Sequence, residues 1–313
     1  MSGLDPVALQ GRCKVDMSSG GDNGSNVRFV HVDPPVLVID DFLTAEECTD
    51  ILQLTSGHQL PPDAGRVIKI ESRSYGDRDN SDENDDGSGR TNRRNSSRNG
   101  SDSSNNIRSS TTWYVRYGCS AVAPLLNGLT ELLPDISITQ IEEIQLVRYA
   151  GSNQGFSWHE DSLEEHIATP AAGGQRIATC LVYLDECDDG RTIFRDLVGD
   201  DNSRLAVSPK VGRALLFFPS MTGTTTLGDA ASIVDKQHQG QTTFGECYHD
   251  NTRADHRTSH AGEPPTTSGE GKGNRREKHI AQLWVHSSPH QPVVFGRGLN
   301  RHSDAKLTTT TTH

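Results

Sequence analysis

The sequence predicts a mainly β, α+β domain in which two sheets face one another as a jelly roll or barrel, supported by helices on its N-terminal side. Strand-like apolar runs recur at residues 136–149, 177–184, 205–207, 214–218 and 280–285, divided by Gly/Asp turns. Helical signals are confined to two segments near residues 44–54 and 120–133. A chain of 313 residues is long enough to build one large core without covalent staples.

Taken in order, residues 1–35 read as a flexible, polar lead-in. Val36-Leu37-Val38-Ile39 is a buried-strand signal, and Thr44 with Glu47 forms a capping box that starts a helix with Cys48, Ile51, Leu52 and Leu54 on its inner side. Residues 67–70 read as a strand. Residues 75–106 are Asp, Asn, Ser, Gly and Arg with almost nothing apolar, a composition that cannot offset its own ordering entropy, so a disordered insertion is expected there. The arginines between 90 and 98 are interleaved with Ser and Asn and lack aromatics, which fits a solvated linker better than a nucleic-acid patch. Residues 111–115 are β-branched and aromatic and resume the strand pattern. The helix at 120–133 tolerates Pro124 only in its first turn and stops at Pro134. A second long, Thr-, Gln-, Gly- and His-rich loop is expected at 222–257, and residues 291–313 read as a flexible tail.

Charge and cysteine usage exclude several function classes. With 42 acidic against 30 basic residues, the net charge of −12 argues against a nucleic-acid or anionic-membrane binder. Cys13, Cys48, Cys119, Cys180, Cys187 and Cys247 show no Cys-x-x-Cys spacing, so neither a zinc knuckle nor a redox dithiol is indicated. No apolar run approaches the roughly 18 residues of a membrane span, and residues 1–24 lack the apolar centre of a signal peptide. The expectation is a soluble, cytoplasmic protein; an incomplete N-terminus would leave the endoplasmic reticulum open.

Chemistry concentrates in the stretch from Gln145 to Asp161, an alternating strand, a Gly/Ser/Asn loop and an aromatic run ending in Trp158-His159-Glu160-Asp161. In extended chain, His159 and Asp161 point to one face and can grip one ion. One imidazole and one carboxylate, completed by a second histidine, form the three-ligand face that suits non-haem Fe(II). His-x-Asp also occurs at His31/Asp33 and His302/Asp304, but only His159 follows a strand-like run that would hold its ring in place. For the second histidine, His166, His238, His249, His256, His260, His279 and His286 are all available; His260 stands apart because it runs into the turn Ala261-Gly262-Glu263-Pro264-Pro265.

Further stretches carry a resemblance. Val38-Ile39-Asp40-Asp41-Phe42-Leu43, Arg108-Ser109-Ser110-Thr111, Gln145-Leu146-Val147-Arg148-Tyr149 and Trp158-His159-Glu160-Asp161 come first. Gly174-Gln175-Arg176-Ile177-Ala178-Thr179, Val182-Tyr183-Leu184, the run from Pro209 to Phe218 and His260-Ala261-Gly262-Glu263-Pro264 follow. Together they resemble, in order, the catalytic domain of the prolyl 4-hydroxylase alpha-subunit family, which are Fe(II)/2-oxoglutarate dioxygenases.

The resemblance implies a double-stranded β-helix (jelly roll) over residues 36–290, with His159, Asp161 and His260 as iron ligands and Tyr149 and Tyr183 against 2-oxoglutarate. The family's cosubstrate lysine usually lies about ten residues past the distal histidine, where this chain has Glu270, but also six residues before a strand tryptophan. Counting back from Trp284 gives Lys278, and period-two alternation puts Lys278, Ile280, Gln282 and Trp284 on one face. A second departure is Arg191, where the family pattern Gly-Glu-Thr-x-Phe has glutamate. The implied reaction consumes O2 and 2-oxoglutarate, releases succinate and CO2, and hydroxylates C4 of a proline in a peptide or protein, with ascorbate sustaining the iron. The same oxygenase chemistry on another side chain or a small molecule, and an inactive jelly-roll binding module, are the competing readings. Nothing in the sequence specifies an oligomeric state.

Overall fold

The computed structural model describes residues 26–56, 60–72, 109–187, 189–222, 252–265, 277–292 and 294. Fourteen strands and two α-helices form there: β1 Val27–His31, β2 Val36–Ile39, α1 Ala45–Gln53, β3 Ile68–Ser72, β4 Ser110–Val115, α2 Ala123–Leu132, β5 Ile144–Ala150, β6 Phe156–His159, β7 Arg176–Tyr183, β8 Thr192–Val198, β9 Arg204–Val207, β10 Ala214–Phe217, β11 Ser220–Thr222, β12 Thr252–Ala254, β13 His260–Gly262 and β14 Glu277–His286. Eight strands make the major sheet in the order β1-β2-β10-β7-β14-β5-β4-β3; four make the minor sheet in the order β6-β13-β8-β9. Every pairing within the two sheets is antiparallel, and the mainly β, two-sheet jelly roll read from the sequence is the architecture observed.

Period-two alternation sorts the central strands into two cores. Val36, Val38, Val147, Tyr149, Leu181, Tyr183, Leu215, Phe217 and Ile280 of the major sheet meet Phe194, Leu197, Leu205 and Val207 of the minor sheet between the layers. The alternate residues, among them Leu37, Ile39, Leu146, Cys180, Val182, Leu216 and Leu283, turn outward and are covered by Ile51 of α1 and by Leu125, Leu126, Leu129 and Leu132 of α2. Strands buried on both faces explain why these segments read as continuous apolar runs. The outer core acts as a foundation, and the inter-sheet space is where the polar groups described below enter.

Both helices start as their sequences dictate. Glu47 N–H donates to Thr44 Oγ1 at 3.2 Å and Thr44 N–H to a Glu47 carboxylate oxygen at 2.9 Å, the reciprocal capping box. In α2 Pro124 occupies the first turn, where its missing N–H costs no bond.

Several boundaries differ from expectation. The sheet begins at Val27, inside the expected lead-in, because β1 pairs along β2 from Val27↔Ile39 to His31↔Val36. The expected strand at 136–149 is split: Ser137 and Gln140 form their own capping box around a 3-10 turn, Ile138–Gln140, and β5 starts only at Ile144. The expected second loop at 222–257 includes β12 and a short 3-10 turn, His256–Thr258, which Asp255 caps. Chain in the expected tail is tied back through Val294 N–H, which donates to Glu143 Oε1 at 2.8 Å. The insertion expected at 75–106 lies outside the described residues. Among the described residues no helix is long and apolar enough to cross a membrane.

Gly212 shows how tightly the sheet is locked to α1's approach. Its φ is +74°, and a Cβ there would overlap the carbonyl oxygen of Leu43. Gly212→Ala should therefore cost at least about 2 kcal/mol, from left-handed strain plus displacement of backbone. Urea unfolding of the two proteins measures it; a change under a few tenths would mean the Leu43 segment yields freely.

Candidate metal centre and adjoining cleft

The register of β6 and β13 places His159 directly opposite His260. Each histidine fixes its ring by the same local device, with Nδ1 2.7 Å from the Ser157 carbonyl in one case and 3.0 Å from the Thr258 carbonyl in the other. A carbonyl only accepts, so Nδ1 carries a proton, and it is the neutral form of each ring that presents an Nε2 lone pair. Both Nε2 atoms face Asp161, at 3.7 Å from Oδ1 and from Oδ2 respectively. That distance is too long for a hydrogen bond, so the three groups ring a gap instead of closing on one another.

The ring is held from behind. Thr179 donates its hydroxyl to Asp161 Oδ2 at 2.7 Å, and the Asp161 side chain is buried. Phe156 stacks on His159 with centroids 3.4 Å apart, and Phe217 meets His260 edge-on at 4.8 Å. Among the described residues, these three are the one cluster of His, Cys, Asp and Glu side chains able to share an ion, with ligand atoms all within 4.8 Å of one another. Two imidazoles and one carboxylate on one face fit Fe(II) with positions left open.

From this centre a cleft of ≈ 330 Å³, part of it open to solvent, runs between the sheets. His159 and His260 line one part of it, and Tyr149, Thr192, Lys278 and Gln282 supply most of its remaining polarity. Lys278 pairs with Tyr149 across β14 and β5, and its ammonium lies 4.7 Å from the centre of the Tyr149 ring. Only 2% exposed, Lys278 donates from Nζ to the carbonyls of Gly190 at 2.8 Å and Glu263 at 2.9 Å. An ammonium has three N–H donors, so one is left for a ligand. Burial pushes its pKa down from 10.5 to about 8, against the opposing pull of Cys187, Glu263 and Asp185. Gly190 has φ +76°, and a Cβ there would crowd Lys278 Cδ at 3.1 Å; the bare backbone lets the lysine lie against it. Gln282 Oε1 is buried with no hydrogen-bond partner among the described residues. A buried cation in a cleft that begins at two histidines and a carboxylate fits a small dicarboxylate, whereas the Gln282 oxygen, which only accepts, calls for a donor from some other group.

The residues singled out from sequence are thus brought together with one exception. Tyr183, expected against the cosubstrate, stands one layer back: it is fully buried, and its hydroxyl lies 2.8 Å from Thr192 Oγ1 and 3.2 Å from the Val207 carbonyl. Its link to the cleft is through Thr192. The competing histidines have other work. His31 Nδ1 lies 2.8 Å from the Pro34 carbonyl, and Asp33 pairs with Arg257 at 3.1 Å. His256 pairs with Glu160, His279 with Asp185 and His286 with Glu142. His238, His249 and the His302/Asp304 pair lie outside the described residues. Thr192 and Phe156 were not picked out from sequence as cleft residues. Thr192 is adjacent to the Arg191 departure, and Phe156 belongs to the aromatic run before His159.

Comparison with known proteins gives a consistent result. Residues 144–286 match the family model described as the 2OG-Fe(II) oxygenase superfamily, a span that contains His159, Asp161, His260 and Lys278. Prolyl 4-hydroxylase 5 of Arabidopsis thaliana is 26% identical over 222 residues, which cover 66% of this chain and 65% of the relative, so the chain spans just under two thirds of that protein's length. A putative prolyl 4-hydroxylase of Acanthamoeba polyphaga mimivirus is 33% identical over 119 residues, 36% of this chain and 46% of the other. Among solved structures, the viral collagen prolyl hydroxylase of Paramecium Bursaria Chlorella virus-1 in its 2OG complex superposes with a TM-score of 0.45 at 18% identity, covering 85% of this chain and 98% of that one. Residues 144–286, somewhat under half of the chain, are thus similar to the 2OG-Fe(II) oxygenase superfamily, and the chain is similar in sequence to proteins named prolyl 4-hydroxylases.

Proposed function

We propose that this protein is an Fe(II)- and 2-oxoglutarate-dependent dioxygenase that hydroxylates proline at C4 within a peptide or protein. The observation that carries the proposal is the continuity of one cleft from the two-histidine, one-carboxylate centre to a single buried ammonium. His159, Asp161 and His260 would hold the iron, which when bound supplies the activation of dioxygen. Lys278 would donate its remaining N–H to the far carboxylate of 2-oxoglutarate, and Thr192 and Tyr149 line the cleft beside it. Leu181, Phe156 and Ile280 make the walls apolar, so the charge pairing at Lys278 acts in a poorly screened setting. The proline part of the proposal rests on the relatives, whose names are those of prolyl 4-hydroxylases. Ascorbate is expected to sustain turnover in cycles not coupled to peptide oxidation.

The test is mass spectrometry of proline-rich peptides after incubation with enzyme, Fe(II) and 2-oxoglutarate, with succinate measured in parallel. Addition of one oxygen to proline, matched mole for mole by succinate, is the expected result. Succinate without peptide oxidation would move the substrate to another class, and no 2-oxoglutarate-dependent succinate under any condition would leave a binding module.

A further inference from the structure

The family pattern has glutamate where this chain has Arg191, and the structure shows what the arginine does. Its guanidinium pairs with Glu263 through two parallel bonds, Nε to Oε2 at 2.8 Å and Nη2 to Oε1 at 3.0 Å. The backbones of the same two residues are joined by Glu263 N–H donating to the Arg191 carbonyl at 2.9 Å. These are the ends of β8 and β13, since Gly262 pairs with Thr192 in the minor sheet. The two carbonyls that hold Lys278 Nζ belong to this junction: Gly190 immediately precedes Arg191, and the other is that of Glu263 itself.

We propose that Arg191 and Glu263 are positioning residues, an ion-pair clasp that fixes the carbonyls of Gly190 and Glu263 and so aims the remaining N–H of Lys278 at the cosubstrate carboxylate. The inference rests on the reading of Lys278 as the cosubstrate anchor. A pair with side chains 48% and 28% exposed contributes little to global stability, because solvent screens it. Its geometry is another matter. Two parallel bonds restrain the guanidinium and the carboxylate in one plane, and both backbone segments follow. Lys278 reaches its acceptors from a different sheet, so a shift of either carbonyl re-aims an ammonium that no other described hydrogen bond restrains.

The experiment measures calorimetric binding of 2-oxoglutarate to the full chain loaded with Mn(II) in the absence of oxygen, with Mn(II) affinity and Tm as controls. Arg191→Met and Glu263→Gln are each expected to raise the 2-oxoglutarate Kd by roughly three- to tenfold, with Mn(II) affinity and Tm nearly unchanged. The charge-swapped double variant R191E/E263R, which restores the pair at the same net charge, is expected to recover most of the affinity. A long-range field would act differently: losing the arginine would weaken binding of a dianion and losing the glutamate would strengthen it. Opposite signs in the two single variants would therefore overturn the clasp, as would unchanged Kd values or a swap that recovers nothing. Lys278→Ala, measured alongside, separates the layers. If it leaves the Kd unchanged, the anchor reading fails; if it weakens binding while the clasp variants do not, only the clasp fails.

Discussion

Replacing Lys278 with alanine should raise the 2-oxoglutarate requirement by at least about a hundredfold, since removing the buried partner of a carboxylate costs roughly 3–5 kcal/mol and each 1.4 kcal/mol is tenfold. Iron binding should survive, because His159, Asp161 and His260 stand on β6, in the bend after it and on β13, and the lysine touches none of them through any described hydrogen bond. Titrating 2-oxoglutarate against Lys278→Ala and Lys272→Ala decides the register. A near-normal requirement in the first with a large rise in the second would place the anchor in the segment before β14. The pH dependence gives an independent reading. With its pKa lowered to about 8, the free lysine loses its proton as pH rises through that value, so affinity for the dianion should be flat below about 8 and fall above it. Cys187, Asp185 and Glu263 are the titratable neighbours that oppose the shift, and the Tyr149 ring packs over the ammonium. For stability the sign is reversed: the unfolded lysine keeps its proton up to about 10.5, so the unfolded chain binds more protons between about 8 and 10.5, and this group's contribution to stability rises across that window.

His159→Ala, Asp161→Ala and His260→Ala should each reduce turnover by more than about a hundredfold, beyond the tenfold to hundredfold that follows the loss of a partner outside a ligand set. Thr179→Val, which removes the hydroxyl that donates to Asp161, should fall within that milder range. His31→Ala should leave turnover unchanged, because that ring is bonded to the Pro34 carbonyl on the opposite edge of the major sheet from β3. Bound metal, measured on each purified protein beside its circular dichroism, tells loss of the ion from loss of the fold. Full activity in His260→Ala with loss in His256→Ala would mean that the distal ligand had been chosen wrongly.

Much of this was legible because it depends on alternation. His159 and Asp161 sit two apart, and Lys278, Ile280 and Gln282 follow the same period into one cleft. What was illegible depends on breaks in alternation or on pairing across long separations. Between β6 and β13 the register slips, so that three steps on one strand match two on the other, from His159/Phe156 to His260/Gly262. That irregularity sets Phe156 against His159, which simple alternation would not predict. β8 was not read as a strand because its pairing with β9 is irregular between Ile193 and Val198, where Arg195 and Asp196 both face solvent. The partnership of Arg191 with Glu263 has no local signature, since it joins two strand ends that meet only in the folded sheet. Tyr183, which the resemblance sets against the cosubstrate, reaches the cleft lining through its hydroxyl bond to Thr192, a cross-strand contact with no local signature.

The direct opposition of His159 and His260 also has a temporal side. Neither half of the chain carries the ion-binding face; it comes into being when β6 and β13 zip together, after the closure of a loop about a hundred residues long, one of the slower classes of contact to establish. Slippage of β13 by a single residue would turn His260 to the far side of the sheet and leave only His159 and Asp161 on the ion-binding face. The complete three-group face therefore exists only in a molecule whose β6 and β13, about a hundred residues apart, have paired in this register.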